Sequence, residues 1–359
     1  MIQDFKVSGF RHFKNIELTQ LRRVNLFVGK NSAGKSALLE AFVLFFSQMS
    51  PKYLPEIHSS RQENWNADED LSEDNPLRHL FFGHTLPEVG KLGFSLASTG
   101  DDRSLEIRIK NYHIEIDGPA TTLSPIPDGV DVEPEFLEPC LVISNKLTTR
   151  RVTRLSRYNS LRRANFHPTA LRASPSVYFI PTKGISDRDL AMLWDSISLT
   201  DAEKDVISGL KLIEPDVEGL AFVGSDSRTR VALVKVAGSP EPVSLKSLGD
   251  GMSRILQIIL SLVNAKNNVL IIDEFENGLH WSVQAAVWSL VFKLSERLNV
   301  QVFATTHSRD CIESFEKIWS SDRNVGYFAR VQKKNGEATV REYNFDLLKD
   351  SIETDVEVR

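Results

Sequence analysis

The stretch "VNLFVGKNSAGKSALLEAF", Val24 to Phe42, decides the fold. Val24–Val28 reads as a compact apolar strand of a parallel sheet, ending at Gly29. From Lys35 to about Gln48 the chain reads as a helix that is apolar nearly all round, hence deeply buried. Between them, "GKNSAGKS" (Gly29 to Ser36) has the spacing G-x-x-x-x-G-K-[ST]. Gly29 and Gly34 permit a tight loop, and the backbone N–H groups of Lys30, Asn31, Ser32, Ala33, Lys35, Ser36 and Ala37 can converge on a phosphate at the helix N-terminus. Lys35 would reach the β- and γ-phosphates, and the Ser36 hydroxyl would ligate Mg²⁺. A glycine-rich turn that merely caps a helix is the alternative. The strand before it and the helix after it favour a nucleotide site.

A second stretch, "VLIIDEFENGLHWSVQ" (Val269 to Gln284), brings two acids to the end of another buried strand. Asp273 would hold Mg²⁺ through water, and Glu274 would polarise the water that attacks a phosphoryl group. Taken alone, an Asp–Glu pair at a strand end is also a helix N-cap with a first-turn acid. About thirty residues on, "VFATTHS" ends a further buried strand at His307, whose ring can donate to a γ-phosphate; a loop histidine bonded to backbone is the alternative.

The remainder bounds the answer. The chain has 359 residues, 41% hydrophobic and 25% charged, with a formal net charge of −5, so a protein coated in basic residues is excluded. Cys140 and Cys311 lack metal-ligand spacing. The N-terminus has no signal-peptide design and "ALLEAFVLFF" is too short to span a bilayer, so no membrane partner and a cytoplasmic location are expected. Residues 50–77 read as a solvated acidic insertion. "KLGFSLAS", "RSLEIRIK" and "YHIEID" alternate with period two and predict an antiparallel meander. "VEGLAFVG" with "TRVALVKVA" predicts a hairpin, and "VGYFARVQKKNGEATVREYNF" a closing one. From 145 to 172 there are Lys146, Arg150, Arg151, Arg154, Arg157, Arg162, Arg163 and Arg172, no carboxylate, and interleaved Tyr158 and Phe166. That segment suits a nucleic-acid backbone with stacked bases, an acidic protein partner, or plain solvation.

Four segments together, "FRHFKNIELTQLRRVNLFVGKNSAGKSALLEAF", "SLGDGMSRIL", "LIIDEFENGLH" and "ATTHS", resemble ABC-type ATPases of the SMC–RecF–OLD branch, in particular stand-alone bacterial AAA family ATPases related to the ATPase part of OLD nucleases. The resemblance covers nearly the whole chain and is weakest over residues 50–175. It implies an α/β fold, a P-loop ABC-ATPase head with a mixed central sheet, an antiparallel β subdomain and a helical lobe. It also implies ATP and Mg²⁺ as cofactors, hydrolysis of ATP to ADP and phosphate, and a homodimer in which each phosphate loop faces the partner's signature motif. Aligning L-S-x-G-x-x-R with "LGDGMSR" places Leu248, Gly249, Asp250, Gly251 and Arg254, so Gly249 stands where the family has serine. Either Ser247 substitutes for that hydroxyl or hydrolysis is weak or conditional. "ENGLH", Glu276 to His280, matches the family's D-loop. The expected division is an N-terminal ATPase lobe over 1–144, a basic segment and helical lobe over 145–215, and a C-terminal ATPase lobe over 216–359. Only 52 residues follow His307, too few for a Toprim domain. Relatives of this kind work in DNA repair or phage defence, often with a separately encoded effector.

Overall fold

The computed structural model describes residues 1–51, 53–63, 75–117, 120–127, 130, 132–145, 148–155, 177–224, 230–334, 336–354, 356 and 358. The first half of the chain contains β1 (Phe5–Phe10), β2 (Phe13–Leu18), β3 (Val24–Val28), α1 (Lys35–Phe46), α2 (Tyr53–Ser60), β4 (Leu92–Ser98), β5 (Asp101–Asp117), β6 (Ala120–Pro125), β7 (Leu137–Ser144) and β8 (Thr149–Arg154). There follow β9 (Val177–Ile180), α3 (Asp187–Asp195), α4 (Asp201–Leu210), β10 (Val217–Val223), β11 (Val231–Val236), β12 (Val243–Ser244) and α5 (Asp250–Asn264). The chain then forms β13 (Val269–Ile272), α6 (Trp281–Arg297), β14 (Gln301–Thr306), α7 (Arg309–Trp319), β15 (Gly326–Lys334), β16 (Glu337–Tyr343) and α8 (Phe345–Glu353).

Among the described residues the strands form three sheets. The central one runs β16-β15-β3-β14-β13-β9, parallel except for β16, which closes it as the antiparallel arm of the predicted hairpin. An antiparallel sheet runs β2-β1-β4-β5-β7-β8, with β6 added to β5, and a small one runs β10-β11-β12. The mixed central sheet, antiparallel β layer and helices match the α/β architecture that the resemblance implied.

The period-two pattern of the central strands explains why both faces are covered. Leu26, Leu270 and Val302 point into a core shared with α5, α6 and α7, while Phe27, Ile271 and Phe303 point into a core shared with α1 and the antiparallel sheet. Helix α1 therefore lies between two sheets, which is why its sequence is apolar all round. Phe42 stacks on Phe303 at 4.1 Å on one side and on Phe5 at 4.4 Å on the other. Its one acid, Glu40, is buried in ion pairs with Arg11 (2.5 Å) and Arg61 (2.6 Å). Among the described residues no helix is long and apolar enough to cross a membrane.

Two sequence expectations are corrected. The acidic insertion starts as structure: α2 buries Tyr53, Leu54, Ile57 and His58, and Glu63 pairs with buried Arg11 at 2.6 Å. Apolar residues at helical spacing there were masked by the acidic average of the segment. Asp68, Glu69, Asp70, Glu73 and Asp74 lie outside the described residues. The two meander strands "RSLEIRIK" and "YHIEID" are one strand, β5, because β7 pairs with it without interruption from Glu106 to His113.

Candidate functional site

Parallel register gathers the site. Val28 of β3 pairs with Thr306 of β14, and Ile272 of β13 pairs with Ala304 of β14 and Ile180 of β9. The residues that follow each strand, Gly29, His307, Asp273 and Thr182, consequently share the carboxyl edge of the sheet, where ligands of open α/β sheets bind.

The phosphate loop leaves β3 tightly. A Cβ on Gly29 would lie 2.2 Å from the Val331 carbonyl oxygen at φ +153°, so only glycine fits; Gly34, at φ +111°, precedes α1 in the left-handed region. No side chain caps α1, leaving its first N–H groups to the loop. Lys30, Asn31 and Ser32 are exposed, Ala33, Lys35 and Ala37 are buried, and Gly34 and Ser36 lie between. The Lys35 ammonium donates to the Gly29 carbonyl at 2.6 Å and the Lys30 carbonyl at 3.2 Å. Burial lowers its pKa, and Asp273, Glu274 and Glu276 oppose that shift.

Asp273 is held on both oxygens. Oδ2 accepts from the Ser36 hydroxyl at 2.9 Å and the Thr182 hydroxyl at 3.0 Å; Oδ1 accepts from Thr305 at 2.6 Å. Thr305 in turn accepts from the Glu274 N–H at 2.9 Å. Glu274 adopts φ +50°, unusual for a residue with a side chain. Buried Arg254 of α5 secures that turn by donating to the carbonyls of Asp273 (2.7 Å) and Glu274 (2.6 Å). Desolvation pulls the Arg254 pKa down to about 10 against the pull of Glu276, Asp273 and Glu274. Below the turn Phe275 stacks face to face on Trp288 at 3.6 Å.

His307 follows β14 beside two acids, its Nδ1 3.2 Å from Glu276 and 3.7 Å from Glu274. The structure thus brings Lys35, Ser36, Asp273, Glu274 and His307 together. Gly249, Asp250 and Gly251 start α5, with Gly249 at φ +97° and both Gly249 and Asp250 exposed. Sequence reasoning missed Thr182, Thr305 and the purpose of Arg254. Thr305 lies in the strand of "VFATTHS" and Thr182 comes after β9, but their meeting at Asp273 depends on strand order.

The basic segment divides. Arg151 donates to the Met49 carbonyl at 2.7 Å, Arg154 pairs with Glu138 at 3.4 Å, and Arg150 binds the Gln48 side chain, so these three are engaged within the protein. Lys146, Arg157, Arg162, Arg163 and Arg172, with Tyr158 and Phe166, lie outside the described residues.

The donor set fits Mg²⁺. A hydroxyl and a carboxylate oxygen, Ser36 Oγ and Asp273 Oδ2, sit side by side at the phosphate loop. Among the described residues no cluster of three or more His, Cys, Asp or Glu could cage an ion alone. Mg²⁺ is a hard cation that takes one or two protein oxygens and completes its shell with phosphates and water.

Comparison with known proteins identifies the fold and the family. The solved SMC head bound to the C-winged helix domain of ScpA superposes with a TM-score of 0.55 at 14% identity, covering 96% of this chain and 97% of that one. An SMC head with an extended coiled coil, bound to the C-terminal domain of ScpA derived from Pyrococcus furiosus, gives 0.53 at 11% identity, covering 99% of each. At these identities the superpositions show a shared fold alone. A relative from Helicobacter pylori described as an ATP/GTP phosphatase is 24% identical over 341 residues, 89% of this chain and 88% of its own length. The family described as "AAA domain, putative AbiEii toxin, Type IV TA system" matches residues 24–310, a span that contains Gly29–Ser36, Gly249–Gly251, Asp273, Glu274 and His307. The chain belongs to this family of AAA-domain ATPases.

Proposed function

We propose that the protein hydrolyses ATP to ADP and phosphate at the carboxyl edge of its central sheet, in a site completed by a second copy of the chain. The observation that carries this reading is the Ser36–Asp273 contact of 2.9 Å beside the phosphate loop, with Glu274 fixed one residue on. The N–H groups of the loop and Lys35 grip the triphosphate, so Lys35 exchanges its bonds to Gly29 and Lys30 for phosphate oxygens. Ser36 and, through water, Asp273 would hold Mg²⁺, which when bound offsets phosphate charge. Glu274 orients a water whose oxygen attacks the γ-phosphorus as the bond to the β,γ-bridging oxygen breaks, and takes up the proton the water loses. His307 touches the γ-phosphate and distinguishes ATP from ADP.

The exposed Gly249–Gly251 turn supports the dimeric part. The N-terminus of the 15-residue helix α5 starts there without a capping side chain, so its N–H groups suit a partner's γ-phosphate. Gly249 supplies no hydroxyl, consistent with slow or conditional turnover. For the output we propose that the ATP-bound dimer, resembling OLD-type heads, senses or acts on nucleic acid in phage defence or DNA repair. A second reading is a slowly hydrolysing scaffold that regulates a separately encoded nuclease or toxin; it is favoured by the internal engagement of Arg150, Arg151 and Arg154 and by the family's toxin–antitoxin description.

Phosphate release and ATP-dependent dimerisation, measured for wild type and Glu274→Gln with and without nucleic acid, test this. Wild type should turn over; Glu274→Gln should bind ATP and dimerise but not turn over. Undiminished turnover in the variant would refute the assignment of Glu274. Stimulation by nucleic acid supports the first output, and turnover indifferent to it supports the second.

A further inference from the structure

One carboxylate at the site has no part in the chemistry above. The Glu276 side chain is 10% exposed, against 32% for Glu274. Its Oε1 accepts from the backbone N–H groups of His307 (3.0 Å) and Ser308 (3.2 Å), where α7 begins. The same oxygen is 3.2 Å from the His307 ring Nδ1. Oε2 is buried with no hydrogen-bond partner among the described residues. The turn beneath is fixed by the Leu279 N–H donating to the Glu276 carbonyl (2.8 Å) and by the Phe275–Trp288 stack. With its backbone pinned and its carboxylate on two amides, Glu276 has little freedom to follow the histidine. The imidazole is 47% exposed.

An ionised carboxylate only accepts, so a ring nitrogen placed against it is the one carrying hydrogen. We propose that Glu276 is a positioning residue for His307: it fixes the Nδ1–H tautomer and thereby turns Nε2 to the nucleotide's γ-phosphate. This rests on the role of His307 given above and adds what aims the ring. Donation from Nε2 to a phosphate while Nδ1–H stays on Glu276 requires a hydrogen on both ring nitrogens, with the Glu276 carboxylate supplying the balancing charge. Glu274, at 3.7 Å from Nδ1, is beyond hydrogen-bond reach and stays available to water.

The test is side-chain NMR of the full chain labelled with ¹⁵N-histidine and free of nucleotide, with His307 assigned from its loss in His307→Asn. Two-bond nitrogen–proton correlations separate Nδ1–H from Nε2–H. Wild type should show Nδ1–H. Glu276→Ala should lose that preference, while Glu276→Gln, whose amide oxygen still accepts from both backbone N–H groups, should keep it. An Nε2–H ring in wild type overturns the proposal by itself, as does an unchanged tautomer in folded Glu276→Ala. With ATP, Glu276→Ala should lower kcat about tenfold or more with little change in KM. The tautomer is read without nucleotide, so a wild-type chain that shows Nδ1–H but no turnover would count against the hydrolysis reading alone.

Discussion

Replacing Thr305 by valine keeps the side-chain outline and removes one oxygen from the centre of the acid pair. Thr305 is fully buried, and its hydroxyl donates to Asp273 at 2.6 Å while accepting from the Glu274 N–H at 2.9 Å. Losing the bond to a charged group costs about 1.5–3 kcal/mol, and stranding the Glu274 N–H adds about 1–3 kcal/mol. The extra methyl returns about 0.8 kcal/mol, so Thr305→Val should destabilise by about 2–5 kcal/mol. Thr305→Ser keeps the hydroxyl and should lose only about 1 kcal/mol for its missing methyl. The backbone bond from Phe275 N to Thr305 O (2.9 Å) survives in both, so the damage stays local to the Glu274 turn. If about 2 kcal/mol of that loss appears as misalignment of Glu274, kcat falls about thirtyfold. Urea unfolding followed by tryptophan fluorescence, together with phosphate release at saturating ATP, reads both effects. A valine variant within about 0.5 kcal/mol of wild type and with its full kcat would refute the reasoning.

Gly29→Ala should abolish binding of a fluorescent ATP analogue, since its Cβ would lie 2.2 Å from the Val331 carbonyl; Gly100→Ala, with nothing within 4 Å, should bind normally. Burial alone would raise the Glu63 pKa, but hydrogen bonds from His58 and Arg11 outweigh it and hold the group at about 2 against an ordinary 4.5. A depressed carboxylate stabilises the fold fully above 4.5 and loses that contribution as pH falls from 4.5 towards 2, here about 3 kcal/mol. Thermal melts over that range should therefore be steep in wild type and flatter in Glu63→Gln. Both cysteines are buried, and burial raises both thiols, Cys140 to about 11. Maleimide at neutral pH should label neither until the protein unfolds.

What the sequence made legible was local. Strand, loop and helix from Val24 to Phe46, the acids after Ile272 and the histidine after Thr306 are each marked by residues adjacent in the chain, and each lies where its pattern implied. What it hid was lateral. Ser36 and Asp273 are 237 positions apart, Thr182 and Asp273 are 91, and no periodicity says that β14 lies between β3 and β13. From the sequence Glu276 reads only as part of the family's D-loop, because nothing local ties it to the amides of His307 and Ser308. In β8 the arginines looked like a charged surface, yet Arg151 serves a carbonyl of the turn after α1. Charge density along a chain does not reveal which cations the fold consumes.

The shared site is tested most directly by mixing two chains that are each inactive, Lys35→Ala and Gly249→Trp. Gly249 is exposed and an added Cβ would meet nothing within 4 Å, but φ +97° strains any side chain there, so the Gly249→Trp chain enters the mixture once its thermal melt shows it folded. In a mixed two-fold dimer one composite site keeps both an intact Lys35 and an intact Gly249, so an equimolar mixture should recover about a quarter of wild-type phosphate release. A mixture as silent as its components, from chains shown to associate, would contradict the account.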